Sequence, residues 1–364
     1  MPQKNLSISK LSIVLSTLIA APFFALSAHC GELDPLLTQI VERQNAALHR
    51  YTTYEYSVTT TGHSTFGGND EKIDSQWDVI RKGDSFWATR RVLSTIVHED
   101  DPTPRGQEVL TSRFVANPDY FANWMRANVP SVQIHYRKDW SSKTQQTELN
   151  RRIDSMTGPD PFEVAWSISE NGLTVGDLLK NERTFSEDER PTWTVQPYTE
   201  AGGGRELLLK RCPAKTTQPD LMVVVDPDKD YVVTQVKSFP DKGDTPFRIV
   251  KRSYEQIDGV WLLNRLEYSE SEPEELEEQY VSVYKIRKLG SDAPADRFTL
   301  AGLSLPERVA LSKITPSAKS PGKAEHYEYK NGEIIPLKTI EEDLKLQVEL
   351  GILPPNVLNK APEH

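Results

Sequence analysis

The chain has 364 residues, 37% hydrophobic and 26% charged, and carries a net charge of −10. It is long and apolar enough to bury a sizeable core in one large domain or two, and its acidity argues against nucleic acid or an anionic lipid surface as a partner. Two cysteines, Cys30 and Cys212, and no CxxC exclude a zinc ribbon or thioredoxin-type site.

The first 28 residues read as a secretory signal peptide. Lys4 and Lys10 precede the uncharged run Leu11–Leu26, and Ala25, Ser27 and Ala28 supply small residues for cleavage. The run has 16 residues at about 1.5 Å each, short for a bilayer core of about 30 Å, and Pro22 interrupts it. Cleavage after Ser27 or Ala28 removes two lysines and no acids, so the net charge moves to −12. The expected location is periplasmic or otherwise extracytoplasmic. His29 stands before Cys30, where lipoprotein processing requires a small residue, which disfavours a lipid anchor. No later stretch reaches 18 apolar residues, so no transmembrane span is expected in the mature chain. In an oxidising compartment Cys30 and Cys212 are a disulfide candidate, the alternative being two unpaired thiols.

The mature chain opens on a helix, with Asp34 as cap and Pro35 at its first position. Leu36, Leu37, Ile40, Val41, Gln44, Ala47 and Leu48 form one stripe that needs a surface to cover. From Tyr51 the text is strand-like. Residues 51–61 are rich in Tyr, Thr and Val, and 75–94 read as a hairpin turning at Lys82-Gly83-Asp84. Residues 99–107 read as loop, 109–117 as strand, and the following NPDYFANWM as a turn or short helix. The region of about 118–190 reads as an elaboration packed over the sheet, with helices over 161–168 and 173–181 and a charged loop over 182–192.

Strands resume at Thr192 and recur to Leu289, with turns at Asp226–Asp230, Pro240–Asp244 and Asp258-Gly259 and an acidic loop at 271–278. Turn signals without long helices between them predict an antiparallel meander rather than a parallel α/β sheet. The domain expectation is 33–310, then a linker at 311–326, then a tail at 327–364 with a hairpin at Asn331-Gly332 and a helix over 339–350. The tail helix is a frayed end, a docked helix or a partner-binding helix.

The search for chemistry is mostly negative. The seven histidines form no HExxH, no GxSxG elbow surrounds a serine, and Gly202-Gly203-Gly204-Arg205 lacks the Lys-Ser/Thr of a phosphate loop. Asp226–Asp230 alternates like a calcium ladder, but its sixth and twelfth places hold Tyr231 and Lys237 in place of Gly and Glu. No catalytic residue, metal site or cofactor is expected. The Trp and Tyr residues of the strands either fill an ordinary core or leave a cavity for an apolar ligand.

The phrases "YTTYEYSVTT", "WDVIRKGDSFWATRRV" and "VVVDPDKDYVVTQVKSFP…FRIVKRSYEQIDGVWLLNRLEY" resemble the LolA/LolB-like outer-membrane lipoprotein carriers over about 33–310. Asp258-Gly259-Val260-Trp261-Leu262-Leu263 resembles that family's D-G-x-W-x-P segment, with Leu263 in place of the proline, and 296–309 resembles its closing Phe-plus-Pro segment. The resemblance implies a curved antiparallel sheet, an open half-barrel, covered by the N-terminal helix; with the extra middle helices and the C-terminal tail helix read from the sequence, the expected fold class is α+β. It further implies a cavity holding a lipid or a lipoprotein acyl chain. The expected inward-facing residues are Val79, Phe86, Val224, Val233, Val250 and Tyr284, with Leu37, Ile40 and Val41 closing the space from the helix. The alternatives are a ligand-free interaction or sensor module that binds another envelope protein, and a hydrolase with dispersed carboxylates.

Overall fold

The β-branched and aromatic segments join one sheet. The structure, a computed structural model, describes residues 35–48, 51–66, 69–98, 101–126, 131–157, 160–169, 172–198, 205–241, 243–272, 276–290, 292–316 and 324–360. The leader expected at 1–28, Cys30 and the capping residue Asp34 lie outside them. In chain order the elements are α1 (Pro35–Leu48), β1 (Thr53–Phe66), β2 (Asn69–Lys82), β3 (Ser85–His98), β4 (Asp101–Ala116), β5 (Tyr120–Arg126) and β6 (Ser131–Tyr136). Helices α2 (Lys143–Thr157), α3 (Pro161–Trp166) and α4 (Val175–Glu182) follow. Then come β7 (Thr192–Tyr198), β8 (Glu206–Cys212), β9 (Leu221–Asp226), β10 (Val232–Ser238), β11 (Arg248–Ile257), β12 (Val260–Glu272) and β13 (Leu276–Leu289). The chain closes with β14 (Arg308–Ile314), β15 (Ala324–Lys330), β16 (Glu333–Pro336) and α5 (Ile340–Glu349).

Among the described residues the sheet has 16 strands in the order β16-β15-β14-β6-β5-β4-β3-β2-β1-β13-β12-β11-β10-β9-β8-β7. It is an open, curved sheet in an α+β fold, not a closed barrel. Neighbours are antiparallel except β14 and β6, which run parallel. The first strand sits in the interior, between β2 and β13. Tight turns hold the meander: Asp258 and Gly259 have φ of 50° and 78°, and Asn331 and Gly332 have φ of 51° and 91°. Such left-handed pairs match the twist of two-residue hairpins.

Some local expectations change. Residues 101–107 are strand, not loop: β4 begins at Asp101 despite Pro102, Pro104 and Gly106. Its ladder to β3 shifts register at Ser94/Ile96 and again at Ile96/His98, which is how a strand tolerates missing donors. After a turn at residues 117–119, Tyr120–Arg126 form β5 rather than a helix. The acidic run 271–278 is largely strand, since β12 ends at Glu272 and β13 begins at Leu276. Strands β14 and β15 occupy both ends of the segment 311–326.

Side chains pack on both faces. On one face Tyr54, Tyr56, Val58, Trp77, Val79, Phe86, Ala88 and Phe114 are buried along consecutive cross-strand partners. On the reverse face Val115, Ala122, Trp124, Val132 and Ile134 pack with Leu300 and Leu303 of the segment after β13. That segment is clamped by Trp87 Nε1, which donates to the Gly302 carbonyl at 2.8 Å, and by Arg113, which donates to the Leu303 carbonyl at 2.8 Å. Helix α1 buries Leu37, Ile40 and Gln44 and packs against α3 and α4.

Candidate functional site

The site is organised by α3, a helix of six residues held by its cap. Pro161 presets the first turn. Asp160 Oδ1 accepts from the backbone N–H groups of Phe162 and Glu163 at 2.9 and 3.4 Å. The other oxygen accepts from the Tyr54 hydroxyl and from Arg81 Nη1, the latter at 2.6 Å. Burial and the Asp160 charge push the Tyr54 phenol far above its ordinary range, so it stays a donor. At the other end the Tyr254 hydroxyl lies 3.0 Å from the Ala165 carbonyl and 2.6 Å from that of Val233. The helix is thereby fixed over the sheet face formed by β10–β13 and β1.

Beside it a cavity of about 290 Å³ remains. Its roof is Val164, Ser167, Ile168 and Ser169. Its floor comes from the sheet: Thr60 and Gly62 of β1, Val250 and Arg252 of β11, Leu266 and Tyr268 of β12, and Tyr280, Ser282 and Tyr284 of β13. The register puts these on one face, because Thr60 pairs with Ser282, Ser282 with Leu266, and Leu266 with Arg252. Tyr268 and Tyr280 stack with centroids 4.5 Å apart at 10°. Gly62 permits the close approach of β13: a Cβ there would lie 2.4 Å from the Gln279 carbonyl oxygen and 2.5 Å from Tyr280 Cβ. The Thr60 and Ser282 hydroxyls bond each other at 2.8 Å across the floor.

Three arginines line this space: Arg90 from the far wall, and Arg248 and Arg252 from β11. Arg248 donates to Ser238 Oγ at 2.9 Å. Arg90 lies over the Trp77 ring at 5.0 Å. Arg252 is 7% exposed, and its Nε and Nη1 have no hydrogen-bond partner among the described residues. Burial lowers the hold of the Arg252 guanidinium on its proton, opposed by the neighbouring phenols Tyr254, Tyr284 and Tyr280. Burial raises the Tyr284 phenol above its ordinary range, against the pull of Arg252.

Of the nine residues named from the sequence, Val250 and Tyr284 lie on this space, and Val224 lies on a separate one of about 280 Å³. Val79 and Phe86 are buried farther along the same face, and Phe86 packs on Phe121 at 6.4 Å. Val233 is buried beneath α3, its carbonyl beside Tyr254. Val224 lies on the reverse face, since it pairs with Gln235, which pairs with Lys251. Leu37 and Ile40 are fully buried, and Val41 Cγ1 faces Gly176 at the start of α4. The roof of the cavity is therefore α3 and the residues after it, with α1 stacked on α3 and α4. The signal for the arginines was present in the strand text: Arg248, Val250 and Arg252 alternate, which sets two charges on a face otherwise apolar.

Cys212 is described, with its thiol 3.6 Å from the Thr217 carbonyl; its candidate partner Cys30 is not. Among the described residues no cluster of three His, Cys, Asp or Glu side chains is placed to hold a metal ion, and no helix is long and apolar enough to cross a membrane.

Neither a protein-family model nor a curated protein matches the chain. Solved structures that align with the chain include proteins of the DUF1329 and LolA groups. A DUF1329 family protein from Desulfovibrio piger aligns over 74% of this chain and 100% of its own, at 14% identity and a TM-score of 0.38. A domain assigned as an outer membrane lipoprotein-sorting protein, from Vibrio parahaemolyticus, aligns over 73% of this chain and 97% of its own, at 11% identity and a TM-score of 0.35. A LolA superfamily protein from Nitrosomonas europaea aligns over 73% and 99%, at 12% identity and a TM-score of 0.33.

Proposed function

We propose that the chain is an extracytoplasmic binding protein that holds one lipid-like molecule between the sheet and α3. The supporting observation is the cavity itself: about 290 Å³ left open under a helix that is pinned at both ends. Its size stands near the lower bound of about 300 Å³ for small-molecule pockets, which suits a single chain rather than a bundle of acyl chains. Val164, Ile168, Val250 and Leu266 supply aliphatic walls. Each methylene of a bound chain gains about 0.8 kcal/mol by leaving water. The leader read at the N-terminus supports export, and binding rather than catalysis is the activity proposed.

The test is native mass spectrometry of protein purified from an envelope fraction, followed by titration of the delipidated protein with a fluorescent dodecanoate. Co-purifying lipid and saturable uptake are expected. Ser282→Trp, which fills the floor, is expected to abolish uptake while circular dichroism stays unchanged. A folded wild-type chain that neither carries lipid nor takes up the probe would refute the proposal.

A further inference from the structure

We infer that the bound molecule carries an anionic head group, a carboxylate or phosphate, and that Arg252 receives it inside the cavity. The inference rests on the binding function proposed above and narrows its ligand. A buried guanidinium must be paired to be tolerated, because leaving a charge in a low-dielectric site without hydrogen bonds costs several kcal/mol. Even the partly buried guanidiniums of Arg81 and Arg211 are paired: Arg81 meets Asp160 and Glu163, and Arg211 meets Glu182 and Asp220. Arg252 departs from it. Its Nε and Nη1 have no partner among the described residues, and the side chain lines the open space, where a carboxylate or phosphate can accept from it.

The surroundings set the orientation. Arg252 shares a cross-strand row with Leu266, Ser282 and Thr60. Glu278, the acid on the lining, is four residues from Ser282 along β13, about 13 Å at the usual strand rise. Arg248 lies in the row of Glu278, through Glu270, so that end carries charges of both signs, whereas the row of Arg252 holds no acid. An anionic head is drawn to Arg252, and its chain then lies along Val250, Leu266 and the Tyr268–Tyr280 stack. Arg90 adds positive potential from the opposite wall. Five strand steps, about 24 Å along a flat sheet, separate it from Arg252, yet both line one cavity, so the bend of the sheet brings them to bear on the same volume.

The experiment compares four probes on the delipidated full-length protein: dodecanoate, dodecyl phosphate, dodecanol and monododecanoylglycerol. Calorimetric titration is expected to show at least one anionic probe binding tenfold or more tighter than both neutral ones, and the preferred anion separates a fatty-acid ligand from a phosphate-headed one. In Arg252→Met the preference is expected to fall to within about threefold while neutral-probe affinity is retained. The same variant, lacking an unpaired buried charge, is expected to melt higher than wild type without ligand. Equal affinity of wild type for charged and neutral probes, or a preference that survives Arg252→Met, overturns the inference but leaves lipid binding standing. Failure of all four probes to bind overturns both. If Arg252→Met does not fold, Arg252→Gln is read in the same way, and the wild-type comparison alone still decides.

Discussion

Tyr54 of β1 donates its hydroxyl hydrogen to Asp160, the residue that caps α3. A central strand of the sheet and the roof of the cavity are therefore joined through one carboxylate, which Arg81 also binds from β2 at 2.6 Å. Asp160 is 4% exposed, so no water replaces these contacts.

Asp160→Ala removes a helix cap and leaves Arg81 and Tyr54 without their common acceptor. A cap contributes about 1 kcal/mol, and a broken, partly buried ion pair adds to that. The expected loss is about 2–4 kcal/mol in urea denaturation. Tyr54→Phe, which deletes a single hydrogen bond, is expected to cost about 1–2 kcal/mol. Equal effects from the two variants would show that Asp160 does not integrate the two contacts.

Gly62 is confined by its neighbours on β13 rather than by its backbone angle. With a Cβ 2.4 Å from the Gln279 carbonyl, Gly62→Ala must push β1 from β13. A cost of about 1–3 kcal/mol is expected, as for other overpacked sites, together with weaker probe uptake because the floor of the cavity shifts. Urea denaturation and fluorescence titration measure the two effects.

Gly302 offers a sharper contrast. A Cβ there would sit 1.9 Å from the Arg297 carbonyl oxygen, inside the clamp made by Trp87 and Arg113. Gly259, in an open hairpin turn at φ 78°, meets nothing within 4 Å. Gly302→Ala is expected to lower the melting temperature more than Gly259→Ala, whose cost is left-handed backbone strain of about 1 kcal/mol. Thermal melts of both variants decide it.

Arg211 Nε reaches Glu182 Oε1 at 2.5 Å, and Trp193 Nε1 donates to the other oxygen at 2.9 Å. The Glu182 side chain is 3% exposed. Arg211→Ala is expected to destabilise by about 3–5 kcal/mol because it strands a buried carboxylate. Arg211→Met combined with Glu182→Leu is expected to recover most of that loss, measured in the same urea titration.

Much of the sheet was legible because strand residues and turn residues alternate so regularly: Gly83, Asp258-Gly259 and Asn331-Gly332 each mark a hairpin in the text. The strand start at 101–107 was hidden by its own prolines and glycine, which local rules read as loop and which the β3–β4 register shifts absorb. Helix α2 was missed because its segment, KTQQTELNRRIDSMT, is so polar that its stripe is little more than Leu149 and Ile153. Within the candidate site, Val250 and Tyr284 followed from parity along their strands. The roof did not. Helix α1 has the longer apolar stripe, but Gly176, which leaves room for Val41, draws it onto α4, and the capped six-residue α3 takes the place over the sheet. A short helix anchored by Asp160, Tyr54 and Tyr254 leaves little periodicity to read.

The hydroxyl bond between Thr60 and Ser282 joins residues 222 positions apart. It belongs to the β1–β13 seam, so the first strand waits for the thirteenth of the sixteen described before its second edge is covered. Such nonlocal pairing slows folding. Until residue 289 has followed, one edge of β1 stays unpaired and open to β-type aggregation.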